Sequence, residues 1–202
     1  MTKKEEWLAG TRSAVPIMLG YVPVGIAYGV MARQAGLNTW QTVLMSLTVY
    51  GGASEMMAAG MVAQGAAVLT IVLTTFILNL RHIIMSTCVF NQMQGGRLPV
   101  RMLAAFGVTD ETFAVYTTTA NAPRTPRYFF SMALCSYLSW ALGSWLGAIA
   151  TGLLPPLITA ALGISLYAMF IGLLMPGLHG NGRLAALVVL TALCNTVLCN
   201  VV

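Results

Sequence analysis

Apolar residues run along this chain in seven long blocks, at about 14–32, 40–63, 66–90, 102–120, 128–150, 157–176 and 184–202. A hydrocarbon core about 30 Å thick takes roughly 20 residues of helix to cross, so most blocks have the length of a membrane span. Two blocks are interrupted near their middles. The second carries Gly51-Gly52-Ala53-Ser54-Glu55 and the fourth carries Thr109-Asp110-Glu111-Thr112. Paired glycines and acids weaken a helix at the depth where backbone groups have no water to bond, and such backbone is tolerated only where protein or a water-filled cavity meets it. The pattern predicts an all-α polytopic membrane protein, a single transmembrane domain over 1–202. Its expected content is about five full transmembrane helices plus two broken or re-entrant segments, preceded by a polar, cytoplasmic lead-in at 1–13 with Trp7 as an interface anchor.

The basic residues bear on this count. Cytoplasmic loops collect Lys and Arg, and Lys3, Lys4 and Arg12 place the N-terminus inside. With blocks two and four re-entrant, Arg97, Arg101, Arg124, Arg127 and Arg183 also fall inside and only Arg33 falls outside. With all seven blocks crossing, Arg97 and Arg101 are misplaced. A faint repeat is also visible, Gly36-Leu37 and Tyr50 being echoed by Gly152-Leu153 and Tyr167. Gly25 with Gly29 and Gly143 with Gly147 make GxxxG spacings, which let helices approach closely; packing within the chain is favoured over a homodimer face. Pro16 and Pro23 are expected to bend or start the first helix. The chain ends on NTVLCNVV without a polar tail, which suggests a short last helix or a further element supplied by another chain.

Composition removes the soluble alternative. Of 202 residues 58% are apolar and 7% charged, against about 25% charged in ordinary soluble domains. The net charge of +5 is spread along the chain and forms no nucleic-acid patch. Cys88, Cys135, Cys194 and Cys199 lie singly in apolar runs and point to neither metal nor disulfide. No phosphate-binding GK[ST] loop occurs, so the chain is not its own ATP motor, and no cofactor is implied.

Three polar places remain for chemistry. In the third block, Arg81 and His82 stand inside Gly65–Phe90, where an Arg costs roughly 2.5–3.5 kcal/mol on insertion scales. Thr75, Asn79, His82 and Ser86 share one helix face. Arg81 can bind a carboxylate substrate or balance an acid on another segment, Asn79 can bind a ligand or join helices, and His82 can carry a proton or simply pack. At Gly51–Glu55, a broken helix exposes N–H and C=O groups suited to a zwitterion. Ser54 is expected to cap the second half, and Glu55 to meet Arg81 or a substrate amine. At the third place, Thr109 is expected to cap a helix and set Asp110 and Glu111 in its first turn, where adjacent acids suit proton coupling or are merely solvated. His179, in the turn GLHGNGR, is expected to face solvent.

The runs GGASE–MMAAG, TTFILNLRHIIMS and GVTDETFAV, in this order, resemble the AzlC family of branched-chain amino acid exporters over essentially the whole chain. The resemblance implies a bacterial inner-membrane protein that exports valine, leucine, isoleucine and in some cases methionine, working with a small hydrophobic membrane subunit of the AzlD type. Carried over, the substrate-binding residues are Gly51, Gly52, Ala53, Ser54, Glu55, Asn79 and Arg81, and the proton-coupling candidates are His82, Asp110, Glu111 and Glu55. At Glu55 the family more commonly has an amide, and the chain stops about one hairpin earlier than the family's usual length.

The expected function is therefore proton-coupled alternating access for branched-chain amino acids, with no enzymatic activity. The alternatives are a transporter or channel-like subunit for another small zwitterion or ion, an intramembrane serine hydrolase using Ser54 and His82, and a non-transporting scaffold.

Overall fold

The computed structural model describes residues 2–96, 98–120, 122–153 and 182–201, with scattered positions between 155 and 178. Its contacts divide the chain into two compact units, Met1–Ser165 and Leu166–Val202. The first unit contains α1 (Lys3–Gln34), α2 (Thr39–Thr48), α3 (Gly52–Ala63), α4 (Val68–Asn79), α5 (Arg81–Gln92), α6 (Leu98–Phe106), α7 (Asp110–Thr118) and α8 (Pro126–Ala150). The second contains α9 (Gly182–Val201).

The polar N-terminus is the start of α1. The Thr2 hydroxyl accepts from the Glu5 backbone N–H and the Glu5 carboxylate accepts from Thr2 N–H, a reciprocal cap that satisfies two orphan donors. Pro16 and Pro23 lie inside α1 and start nothing. Thr125 caps α8, with Pro126 in the first turn, where its missing N–H has no partner to lose.

The expected count of about five full spans plus two broken segments is not met. Among the described residues only three helical stretches are long and apolar enough to cross a bilayer: Lys3–Gln34, Val68–Gln92 and Pro126–Ala150. The second stretch is α4 and α5 together, because Leu80 between them keeps α-helical angles (φ −54°, ψ −33°). The apolar part of α9, Gly182–Leu198, is shorter. The stretch between α8 and α9, including Tyr167 of the sequence echo and His179, lies mostly outside the described residues. The shortfall falls on blocks six and seven: block six lies mostly outside the described residues, and block seven supplies only the shorter apolar stretch Gly182–Leu198. Blocks two and four fold as separate helices of 10, 12, 9 and 9 residues. At 1.5 Å per residue none of these is as long as the hydrocarbon is thick, so neither block adds a span.

The first unit is organised by α1 and α8. Gly10 lies against Tyr128 and Ser131, Gly25 against Gly143 and Ser144, and Gly29 against Gly147 and Ala148. Position increases together on both helices, so they run parallel, with both N-termini at one end. The two GxxxG spacings meet each other inside the chain. A Cβ on Gly147 would stand 2.2 Å from the Ile26 carbonyl oxygen, and one on Gly29 would stand 2.3 Å from that of Ser144. The obstructing atoms are backbone and cannot rotate away. At the same end, Tyr128 Oη donates to Ser13 Oγ at 2.7 Å and Arg127 approaches Glu6 at 3.9 Å.

The C-terminal end of α5 returns to this end of the bundle. Gln94 N–H donates to the Arg124 carbonyl at 2.6 Å, and Arg101 donates to the Phe90 carbonyl while its guanidinium lies over the Phe90 ring. The Val68–Gln92 span therefore runs opposite to α1 and α8, and the start of α1, Arg101, Arg124 and Arg127 share one side.

Gly147→Ala is expected to destabilise the protein by about 1–3 kcal/mol, the usual range for overpacking. Gly60→Ala, on a helix position where an added Cβ meets nothing within 4 Å, is expected not to destabilise it. Thermal unfolding of both variants in detergent checks the pair.

Candidate functional site

The chain between α2 and α3 breaks at Val49–Gly51. Tyr50 adopts φ +47°, a left-handed conformation that bulky residues avoid and that carries about 1–3 kcal/mol of strain. Gly51 is the N-cap of α3 and has no side chain to cap with. Ser54 does not take over that role: its hydroxyl donates to the Gly51 carbonyl at 2.8 Å. Gly52 is held small by the Trp140 ring, whose nearest carbon would lie 2.9 Å from a Cβ there. Ala53 follows, half-buried.

Glu55 is the cap's true partner. It is fully buried, and its carboxyl accepts from Gly51 N–H (3.0 Å), Ser46 Oγ (2.9 Å) and Trp140 Nε1 (3.2 Å to each oxygen). Ser46 also contacts Ser144 Oγ at 2.8 Å, which ties α2 to α8. One side chain of α3 thus gathers donors from α2, α8 and its own N-terminus. Buried charge is costly unless hydrogen-bonded or paired, and the salt bridges among the described residues do not include Glu55.

Thr109 caps α7 as expected, exchanging hydrogen bonds with Thr112 in both directions. Asp110 and Glu111 then occupy the first turn, where the helix dipole favours acids. They face different surroundings. Glu111 is buried and accepts from Tyr21 Oη at 2.6 Å. The Thr109 hydroxyl sits 2.8 Å from the same Tyr21 oxygen. With the Tyr21 proton directed at Glu111, Thr109 donates to Tyr21 and Thr112 donates to the Gly107 carbonyl (2.9 Å), so every hydroxyl has a consistent role. Asp110 instead pairs with Arg81 at 2.9 Å, both side chains partly exposed.

Residues at the junction of α4 and α5 touch both capped breaks. Asn79 Oδ1 comes within 3.7 Å of where a Cβ on Gly51 would stand, and Arg81 reaches Asp110. Two atoms here are buried without a hydrogen-bond partner among the described residues: the acceptor Asn79 Oδ1 and the donor Arg81 Nε. His82 Nδ1 lies 3.1 Å from the Asn79 carbonyl.

The acid that Arg81 meets is Asp110, and Glu55 is held elsewhere. Ser54 and His82 are each bonded to a backbone carbonyl of their own segment, and Ser54 is fully buried, so no nucleophile–base pair forms. Among the described residues no cluster of metal-ligating side chains occurs.

Sequence reasoning missed Tyr21 and Trp140, which hold Glu111 and Glu55 respectively and pack edge-on at 5.4 Å between ring centroids. A signal existed: a phenol and an indole N–H deep in apolar blocks need polar partners. Ser46, Ser144 and the strained Tyr50 carried no comparable mark.

Glu55→Ala is expected to lower stability by about 3 kcal/mol or more, because it strands three buried donors at roughly 1–3 kcal/mol each. Glu55→Gln keeps an oxygen for Gly51 and Trp140 and offers Ser46 an N–H, so it should stay within about 1 kcal/mol of the parent. Thermal melts of the two variants give the comparison.

Residues 16–154 match the family model described as AzlC protein. An uncharacterized membrane protein of Archaeoglobus fulgidus is 33% identical over 188 residues, covering 92% of this chain and 82% of that protein. The inner membrane protein YgaZ of Escherichia coli is 30% identical, covering 84% of this chain and 72% of YgaZ. The branched-chain amino acid transport protein AzlC of Bacillus subtilis is 27% identical, covering 74% of this chain and 61% of that relative. No solved structure matches. Spans, composition and relatives together make this a multi-pass inner-membrane protein on the transporter side of the divide from enzymes. The chain belongs to the AzlC family.

Proposed function

We propose that the protein exports branched-chain amino acids, namely valine, leucine, isoleucine and also methionine, by proton-coupled alternating access around the Gly51–Asn79–Arg81–Asp110 site. The observation that carries this reading is the pair of open groups at that site. Among the described residues Arg81 Nε is a buried donor and Asn79 Oδ1 a buried acceptor without a hydrogen-bond partner, two positions apart on one span. A donor and an acceptor left open together are the complement of a zwitterion. The Bacillus subtilis relative's description supplies the substrate class.

In this mechanism the substrate carboxylate binds Arg81 and the ammonium meets Asn79 and Asp110, loosening the Arg81–Asp110 pair. The Gly51, Gly52, Ala53 and Ser54 backbone forms the adjoining wall. Glu55 and Glu111, buried and without ion-pair partners among the described residues, carry the coupled protons, and His82 beside Arg81 is a further carrier. One methylene changes binding by only about 1–3 kcal/mol, so the aliphatic substrates should be weakly discriminated. A small AzlD-type membrane subunit completes the working transporter, and the N-terminus faces the cytoplasm with Arg101 and Arg124. A different small zwitterion or an ion at the same site is the second reading, favoured by the extra acid at Glu55.

Counterflow of labelled leucine in proteoliposomes tests the proposal. Exchange is expected, with a rate that responds to a pH gradient. Arg81→Ala should slow it at least about tenfold, as expected for a charge partner removed from a partly desolvated pair. No counterflow of any branched amino acid would refute the substrate assignment. For orientation, single cysteines at positions 101 and 124 should resist impermeant thiol reagents in sealed cells; external labelling of both would reverse it.

A further inference from the structure

Beside the polar site lies a cavity of about 230 Å³ lined by Tyr50, Phe106, Gly107, Ala133, Leu134 and Tyr137 and bordered by Leu103 and Phe130. Its position follows from chain neighbours. Tyr50 directly precedes Gly51, the cap of α3, and Gly107 closes the turn that Thr112 bonds before Thr109 caps α7. The cavity therefore borders both capped breaks.

Its walls are rigid and its floor is small. Tyr137 is fixed by donating to the Leu47 carbonyl at 2.8 Å and meets Tyr50 edge-on at 4.9 Å. Phe106 stacks on Tyr50 at 5.9 Å. Gly107 and Ala133 form the floor, so close that a Cβ on Gly107 would stand 2.5 Å from that of Ala133. The room exists because these two residues carry almost no side chain. The Tyr50 hydroxyl is buried and has no hydrogen bond among the described residues, on a residue with a strained backbone.

We infer that this cavity receives the aliphatic side chain of the transported amino acid, and that Ala133 and Gly107 set the length and width it accepts. The inference rests on the proposed transport of aliphatic zwitterions and deepens it by assigning the tail's position. A head group at Arg81 and Gly51 has an apolar space of the right character next to it. A water occupies about 30 Å³ of liquid, so the space exceeds what the four heavy atoms of a leucine side chain need. Weak discrimination among valine, leucine and methionine follows from a space shaped by size, whose side-chain polar groups are two phenols, one of them already bonded to the Leu47 carbonyl. The cavity's rim includes the exposed Leu103 and Phe106, which makes a lipid acyl chain the rival occupant.

The test uses the full chain in proteoliposomes, with inhibition of labelled leucine counterflow by unlabelled alanine, valine, leucine, methionine and phenylalanine. Ala133→Leu should weaken leucine and methionine at least about tenfold relative to alanine, since it adds three carbons where one is worth about tenfold or more. Phe106→Ala, at an exposed rim position tolerant of change, should improve phenylalanine severalfold relative to leucine, and it decides the matter if Ala133→Leu fails to fold. Unchanged relative inhibition in the variants that exchange leucine would overturn this assignment while leaving the transport reading intact, as a lipid-filled groove predicts. A parent protein that exchanges no aliphatic amino acid would overturn the transport reading itself, and this one with it.

Discussion

Backbone contact between α1 and α8 is the constraint on which the rest of this structure depends. Gly25, Gly29, Gly143 and Gly147 bring the two helices to a separation at which carbonyl oxygens meet Cα atoms. In a bilayer, apolar surface gains little by leaving lipid, so close packing and interhelical hydrogen bonds must do the holding. That contact fixes the depth and rotation of Tyr21 on one helix and Trp140 on the other. Each then presents its single polar hydrogen to a buried carboxyl, Tyr21 to Glu111 and Trp140 to Glu55. The short helices α3 and α7 are positioned through those acids and not through their own length.

This arrangement gives the two acids different neighbours but one mechanical frame. Glu55 is bound into α2, α3 and α8, while Glu111 is bound through Tyr21 to α1. Between them, the Val68–Gln92 span touches the first break at Asn79 and the second at Arg81. That span is largely uncovered, with none of its most apolar window buried within the first unit. A helix held by few neighbours yet contacting both breaks is the element best placed to shift when a ligand competes for the Arg81–Asp110 pair, since motion draws on the least-packed parts of a fold.

Much of this was legible in the residues. The apolar blocks announced membrane helices, the GxxxG spacings announced close packing within the chain, and the Thr109 cap followed from a hydroxyl before two acids. Arg81 was marked by its cost in hydrocarbon, although its partner was left open between acids that only the fold could separate. The number of full spans was overestimated at the last two blocks, where hydropathy measures how greasy a stretch is and not how long a helix its backbone makes; the apolar helix of the last block is the shorter Gly182–Leu198. Gly51-Gly52 weakens a helix, but where α3 and α7 sit depends on the bonds Glu55–Trp140 and Tyr21–Glu111, whose partners lie 85 and 90 residues apart in sequence. Ser54 was misassigned for a different, local reason: spacing cannot tell a cap from a side chain that bonds the cap's carbonyl, as Ser54 bonds Gly51.

Under the proposed proton coupling, the two buried carboxyls respond to the amino acid held between the breaks. Infrared difference spectra of the full chain with and without leucine address this directly. A carboxyl C=O band is expected to change on leucine addition in the parent protein and to lose a component in Glu55→Gln and in Glu111→Gln. Saturable leucine binding with no change in any carboxyl band, or with the same band in both variants, would contradict that coupling.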